Sequence, residues 1–268
     1  MSEFLVNRDN INKLIEISID AGEAIMDIYK SDFDFKKKND KSPLTVADIC
    51  SHEIILDSLY KLDPKIPILS EESSDIPYAE RSSWNEYWLI DPLDGTKEFI
   101  NRNGEFTVNI ALIKNNKPII GVIHSPVLQE TYWGSKIDGS YFIKNQSQPE
   151  MINVSPQQGG TLRVLASRSH MSDELNQVLS KRNDTKIIKM GSSLKFCLIA
   201  KGEADIYPRY GPTSEWDIAA GHAIVKFAGG TINSLCGNKL RYNVKDSVIN
   251  PSFIVSNSKK LSEEFFVK

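Results

Sequence analysis

Apolar positions in this chain recur first at helical spacing and then in short continuous runs. Near the start, Ile11, Leu14, Ile15, Ala21, Ile25 and Ile28 fall mostly on one face, with Glu and Asp between them. That spacing predicts an amphipathic helix. Lys36-Lys37-Lys38-Asn39-Asp40-Lys41 has no apolar period and reads as a solvated, turn-like loop. Ser42-Pro43-Leu44-Thr45 then opens a second helix. Thr45 is suited to cap it, and Asp48 three residues on suits a variant capping box. Cys50, Ile54, Ile55, Leu59 and Leu62 carry its apolar face to a stop at Asp63-Pro64. Two short strands follow, Ile66 to Leu69 and Tyr87 to Ile90, and each runs directly into acids: Ser70-Glu71-Glu72 and Asp91-Pro92-Leu93-Asp94. Residues 74–86 between them are polar and read as a surface loop.

Further strands are expected at 106–113 and 118–124, joined by the hairpin Lys114-Asn115-Asn116-Lys117, and at 131–134 and 140–143. Residues 145–160 are rich in Gln, Ser, Pro and Gly and form the expected boundary between two halves, 1–150 and 151–268. The second half alternates: strands at 162–166, 186–190, 204–207 and 253–256, helices at 172–181, 194–201 and 215–227. Gly229-Gly230 closes the last of these helices. Alternation of this kind implies a layered α/β architecture.

Composition narrows the function classes. Of 268 residues, 40% are apolar and 25% charged, enough for a real core. A net charge of -3 gives no basic field for general nucleic-acid binding. Cys50, Cys197 and Cys236 show no zinc spacing and read as buried free thiols, which suits a reducing compartment. No signal-peptide pattern and no membrane-length apolar run is visible, so the expectation is a soluble cytoplasmic protein.

The chemistry concentrates where strands end in acids. Asp91 and Asp94 flank Pro92-Leu93, and residues three apart on a regular strand face opposite ways. The proline and Gly95 therefore predict a turn in which both carboxylates converge, with the Leu93 carbonyl exposed beside them. Asp and Gly are also ordinary turn formers, but Glu71 repeats the arrangement. Clustered hard oxygen ligands suit Mg²⁺. Gly95-Thr96 can open a helix whose N–H groups receive a phosphate, and the threonine hydroxyl can bind an attacking water. Together these features suggest metal-assisted phosphoryl transfer to water. Asp217, in the first turn of the 215–227 helix, is either a cap or another metal ligand. His222 reads as a packing residue. No GxSxG elbow and no GxxxxGK[ST] loop competes with this reading.

Asp91-Pro92-Leu93-Asp94-Gly95-Thr96, taken with Trp216-Asp217, Ser70-Glu71-Glu72 and the leader Asp40 to Asp48, resembles the inositol monophosphatase-like superfamily of metal-dependent, lithium-sensitive phosphatases. Longer stretches are most similar to its bacterial 3'(2'),5'-bisphosphate nucleotidases. These are Trp88 to Phe99 with Asn103 to Asn109, Ser167-Arg168-Ser169-His170, Gly191 to Cys197, and Tyr207 to Thr213. Lys41 departs from the glycine usual in the leader. The resemblance implies an αβαβα sandwich with metals at the junction of the halves. It also implies Mg²⁺-dependent hydrolysis of adenosine 3',5'-bisphosphate to AMP and phosphate, which clears a by-product of sulfate assimilation. By motif position it implies Glu71, Asp91, Asp94, Asp217 and the Leu93 carbonyl as metal ligands, several of them beside substrate. Thr96 with Asp48 would orient and deprotonate the water, Gly95 and Thr96 would hold the scissile phosphate, and Ser167, His170 and Lys195 would contact the nucleotide. The alternatives are the same chemistry on another small phosphate monoester, inositol monophosphate or fructose 1,6-bisphosphate, and an inactive nucleotide-binding protein. Monomer or homodimer, and peripheral attachment to the inner membrane, stay open.

Overall fold

The computed structural model describes residues 4, 6–31, 35–37, 43–145, 147–156, 160–168 and 172–266. Helix α1 (Arg8–Tyr29) starts where the Asn7 side chain accepts the N–H of Asn10. Strands β1 (Phe35–Lys37) and β2 (Pro43–Thr45) pair antiparallel, so Lys36 and Lys37 stand in a strand, not the expected loop. Helix α2 (Val46–Leu62) carries the expected capping box and ends at Asp63. Strand β3 (Ile68–Ser70) pairs in parallel with β4 (Glu86–Asp94). Helix α3 (Tyr78–Arg81) lies between them, where surface loop was expected. Its Arg81 is buried and exchanges hydrogen bonds with Asn243, 162 residues away.

After the five-residue helix α4 (Thr96–Ile100) comes a meander of β5 (Thr107–Lys114), β6 (Lys117–Ser125), β7 (Glu130–Ser135), β8 (Gly139–Lys144) and β9 (Glu150–Ile152). The β5–β6 connection turns on Asn115 and Asn116, both at positive φ (52° and 60°), as a tight hairpin demands. Strand β9 falls inside the stretch expected to be linker and pairs with β8 as the edge of a seven-stranded sheet, β3-β4-β5-β6-β7-β8-β9. Next come β10 (Leu162–Ser167), α5 (Asp173–Leu179), β11 (Thr185–Met190), α6 (Leu194–Ala200), β12 (Ile206–Arg209), α7 (Glu215–Phe227), β13 (Thr231–Ser234), β14 (Phe253–Ser256) and α8 (Lys259–Glu263). Their strands form a second sheet in the order β11-β10-β12-β14-β13.

Strand alternation explains the layering. Trp88 and Ile90 of β4 face a core shared with Leu14, Ile25, Ile55 and Leu59 of α1 and α2. Leu89 of the same strand faces the other way, into a core with Phe196 of α6, Ala220 and Ile224 of α7, and Leu165 of β10. Val164 and Ala166, on the far face of β10, pack with Leu175, Leu179 and Phe265. The order is therefore helices, sheet, helices, sheet, helices. Strands buried on both faces read as continuous apolar runs, which is why they are visible in the sequence. Cys197 is buried as expected, Cys50 is half-buried, and Cys236 is exposed, because it follows β13 in a surface turn. Among the described residues, no helix is long and apolar enough to cross a membrane.

Candidate active site

The end of β4 is not the expected turn. Asp91 stands opposite Asn109 and Asp94 opposite Thr107, so three steps on β4 match two on β5. The extra residue is a β-bulge, and it restores the parity that a regular strand would deny to residues three apart. Ser51 of α2 donates to the Pro92 carbonyl at 2.7 Å and ties the bulge down. The parallel register of β3 on β4 sets Ser70 beside Ile90, so Glu71 emerges next to Asp91. Asp217 arrives from the first turn of α7, where its carboxylate accepts the Ser214 N–H at 2.9 Å. Ligand atoms of Glu71, Asp91 and Asp217 all lie within 4.8 Å of one another.

Burial raises the Asp91 carboxyl well above its usual range, and the charges of Glu71, Asp94, Asp217 and Asp48 raise it further. Asp217 is raised in the same way, by burial first and then by Asp94 and Glu71. Carboxylates this close cannot all stay ionised without a counter-charge. An all-oxygen donor set of this kind fits a hard divalent cation.

Asp94 has a different role. Its Oδ2 accepts from Ser193 N at 2.6 Å, Ser192 Oγ at 2.8 Å and Asn109 Nδ2 at 3.4 Å. Burial raises its carboxyl, while Lys195 and these bonds lower it. It stands beside the group of three, its charge felt at Asp91, with one oxygen committed to the turn before α6. Gly95 adopts a left-handed conformation (φ 94°) that starts α4. The Thr96 hydroxyl lies 3.3 Å from Asp48 Oδ1 and 3.4 Å from the Leu93 carbonyl, to either of which its one proton can be donated. The other Asp48 oxygen accepts the Thr45 N–H and hydroxyl at 2.7 and 2.6 Å.

Beside these groups lies a cavity of about 150 Å³, whose lining includes Asp94, Gly95, Ser167, Ser192, Lys195 and Arg209. Lys195 is buried, and its ammonium donates to the Met190 and Ser192 carbonyls at 3.2 and 2.5 Å. Burial pulls its pKa down to about 8, against the opposing pull of Asp94. His170 lies outside the described residues. His222 is half-buried, with Nδ1 hydrogen-bonded to the Tyr242 hydroxyl at 2.8 Å. A larger cavity, about 480 Å³, opens around His124 between α1 and β6–β8 and holds none of the clustered acids.

Sequence reasoning assigned no role to Ser192, Ser193, Asn109 or Arg209. The signal for the serines was present in Gly191-Ser192-Ser193 ahead of α6, but the left-handed Ser192 (φ 52°) that turns the chain onto Asp94 leaves no mark in composition.

The inositol monophosphatase family model matches residues 7–266, and the chain belongs to that family. It is 45% identical over 249 residues to the 3'(2'),5'-bisphosphate nucleotidase CysQ of Salmonella typhimurium, covering 92% of this chain and 99% of that protein. Against the nucleotidase CysQ of Buchnera aphidicola, identity is 43% over 253 residues, with 93% and 94% covered. The crystal structure of CysQ from Bacteroides thetaiotaomicron superposes with a TM-score of 0.81 at 38% identity, over 95% of this chain and 99% of that one.

Proposed function

We propose that the protein is a Mg²⁺-dependent 3'(2'),5'-bisphosphate nucleotidase that hydrolyses adenosine 3',5'-bisphosphate to AMP and phosphate. The observation that carries this reading is the pairing of two unlike ends in one site. The Glu71, Asp91 and Asp217 carboxylates converge within 4.8 Å, and a cavity bearing Lys195 and Arg209 lies directly beside Asp94 and Gly95. The identity to two nucleotidases across more than nine-tenths of the chain supports the same substrate class.

Divalent cations held by Glu71, Asp91, Asp217, the free side of Asp94 and the Leu93 carbonyl would neutralise the phosphoryl oxygens and the developing charge on the attacking and leaving oxygens. The chain's own groups supply the rest. The Thr96 hydroxyl gives its proton toward Asp48, which leaves its lone pairs to accept a hydrogen bond from the attacking water. As the water adds to phosphorus its proton passes to the Thr96 oxygen while the threonine's own proton passes to Asp48. The ester P–O bond breaks, and its electron pair stays on the ribose oxygen, which takes a proton from a solvent water to become the product hydroxyl. Gly95 and Thr96 backbone N–H groups hold the scissile phosphate. Ser167, His170 and Lys195, with Arg209 close by, receive the nucleotide and its second phosphate. On this reading the half spanning residues 1–150 supplies most metal ligands, and the half spanning 151–268 supplies Asp217 and the nucleotide contacts. A cytoplasmic setting, inhibition by Li⁺, and action as a monomer or homodimer belong to the same proposal.

Phosphate release tests it. The purified protein is assayed with adenosine 3',5'-bisphosphate, inositol monophosphate and fructose 1,6-bisphosphate, with and without Mg²⁺. The expected result is Mg²⁺-dependent turnover of the bisphosphorylated nucleoside above the others. A clear preference for inositol monophosphate would overturn the substrate assignment, and turnover that survives chelation would overturn the metal.

A further inference from the structure

Outside the carboxylate cluster, one ion pair joins the two sheets at the mouth of the site. Glu105 sits in the loop between α4 and β5, and Arg168 follows Ser167 at the end of β10. Arg168 Nε and Nη2 donate to Glu105 Oε2 and Oε1 at 2.6 and 2.5 Å, and Nη2 also donates to the Lys189 carbonyl at 3.2 Å. The Gly191 N–H donates to the same Glu105 Oε2 at 2.7 Å. This is the fork-on-carboxylate geometry that a guanidinium provides and an ammonium does not.

The backbone of Glu105 is wedged as tightly as its side chain. A Cβ on Gly95 would lie 3.1 Å from the Glu105 carbonyl, and one on Gly191 would lie 2.9 Å from that carbonyl and 2.9 Å from Glu105 Cβ. Glu105 therefore fills the space between the turn that opens α4 and the turn that leads into α6. As a stability element the pair is unremarkable: the Arg168 side chain is 43% exposed, and exposed pairs contribute about 0–1 kcal/mol. Its position is what matters. Ser167, which precedes Arg168, lines the cavity, and so does Ser192, which follows Gly191 and donates to Asp94 Oδ2 at 2.8 Å.

We infer that the Glu105–Arg168 pair is a positioning device that fixes the span between the carboxylate end and the cationic end of the site. In doing so it selects substrates carrying two phosphates at the spacing of a 3',5'-bisphosphorylated ribose. The inference rests on the nucleotidase reading above. A substrate with two phosphates must engage both ends at once and so depends on the span. A substrate with only the scissile phosphate uses the carboxylate end and is indifferent to it.

The test compares Arg168→Ala and Glu105→Gln with the unaltered Mg²⁺-loaded enzyme, on adenosine 3',5'-bisphosphate and on adenosine 3'-monophosphate. For the bisphosphate, KM is expected to rise about tenfold while kcat stays within about twofold, the mark of lost binding shared by ground and transition states. Both constants for the monophosphate should stay within about twofold. Arg168→Lys, which keeps the charge and loses the fork, should fall between, and it carries the test if Glu105→Gln does not fold. The double variant should be no worse than the worse single one, because the two residues act as a unit. An unchanged ratio of kcat/KM between the two substrates, or an equal loss on both, overturns the inference. If the unaltered enzyme shows no preference for the bisphosphate, the nucleotidase reading itself fails, and that appears before any variant is made.

Discussion

Asp48 is asked to do two things with two oxygens. Oδ2 closes the capping box of α2 on Thr45, and Oδ1 faces the Thr96 hydroxyl. A carboxylate fixed at one oxygen cannot swing, so the other is held ready to take a proton. Asp48→Asn keeps an acceptor for the cap and loses the base. Its kcat is expected to fall by about 10²–10⁴-fold, the usual worth of a general base, with KM little changed. Thr96→Ser should retain most of the activity, and Thr96→Ala should resemble Asp48→Asn. Steady-state kinetics beside a thermal melt separates chemistry from capping; an Asp48→Asn enzyme with full kcat would remove Asp48 from the mechanism. At this scale the sequence was informative where the signal is local. Asp48, Glu71, Asp91, Thr96 and Asp217 each sit at a strand end or a helix start. Ser192, Ser193 and Asn109 were not assigned, because what gives them meaning is Asp94, which lies 15 to 99 residues away.

Elements aim these residues, and the aim depends on close backbone approach. Helix α7 carries Asp217 and lies across the seven-stranded sheet at β6, where a Cβ on Gly121 would come within 2.2 Å of the Ala220 carbonyl. The obstructing atom is backbone and cannot swing aside. Gly121→Ala must therefore lift α7 from the sheet, at a cost of about 1–3 kcal/mol typical of overpacking. The expected result is a lower urea midpoint with an unchanged slope, together with reduced turnover as Asp217 moves from Glu71 and Asp91. A variant with the parent midpoint would contradict this packing. Long elements with caps were readable in advance, as in α2 with Thr45 and Asp48 and α7 from Glu215 to Phe227. Of the short ones, β3, β12 and β14 were readable as apolar runs, and others were not. Strands β1, β9 and β13 and helices α3 and α8 run three to five residues, too few to show a period, and are held by distant partners. Pro92 and Gly95 suggested a turn, whereas β5 pairs on both sides of Asp91–Asp94 and keeps it a bulged strand.

The whole molecule brings acids from three separate elements together around the buried Asp91, and the folded chain without cations bears the cost. Asp91, Asp94 and Asp217 are all raised above the ordinary aspartate value, first of all by burial. A carboxyl raised on folding binds protons that the unfolded chain has released, so its contribution to stability is present at low pH and is lost as pH rises through the raised value. Cations reverse this, because they bind the ionised carboxylates and displace those protons. Two histidines complicate the acid side. His124 is buried and His222 half-buried, and desolvation pulls them down to about 4 and about 3, so both destabilise the fold as pH drops below the ordinary histidine value. That effect is the same with and without cation, and subtracting one melting curve from the other removes it. The difference in Tm between Mg²⁺-loaded and chelated protein is therefore expected to grow as pH rises from 5 to 8. At a Mg²⁺ concentration one hundred times its Kd the gain is about 2.7 kcal/mol, or about 5–10 °C for a chain of this size. Asp91→Asn, which takes one charge from the cluster, should raise the Tm of the chelated protein at pH 8 and shrink the Mg²⁺-dependent increment. Calorimetry of both proteins across that pH range reads both effects, and an increment that is flat with pH would mean that the three carboxyls are already ionised in the chelated fold.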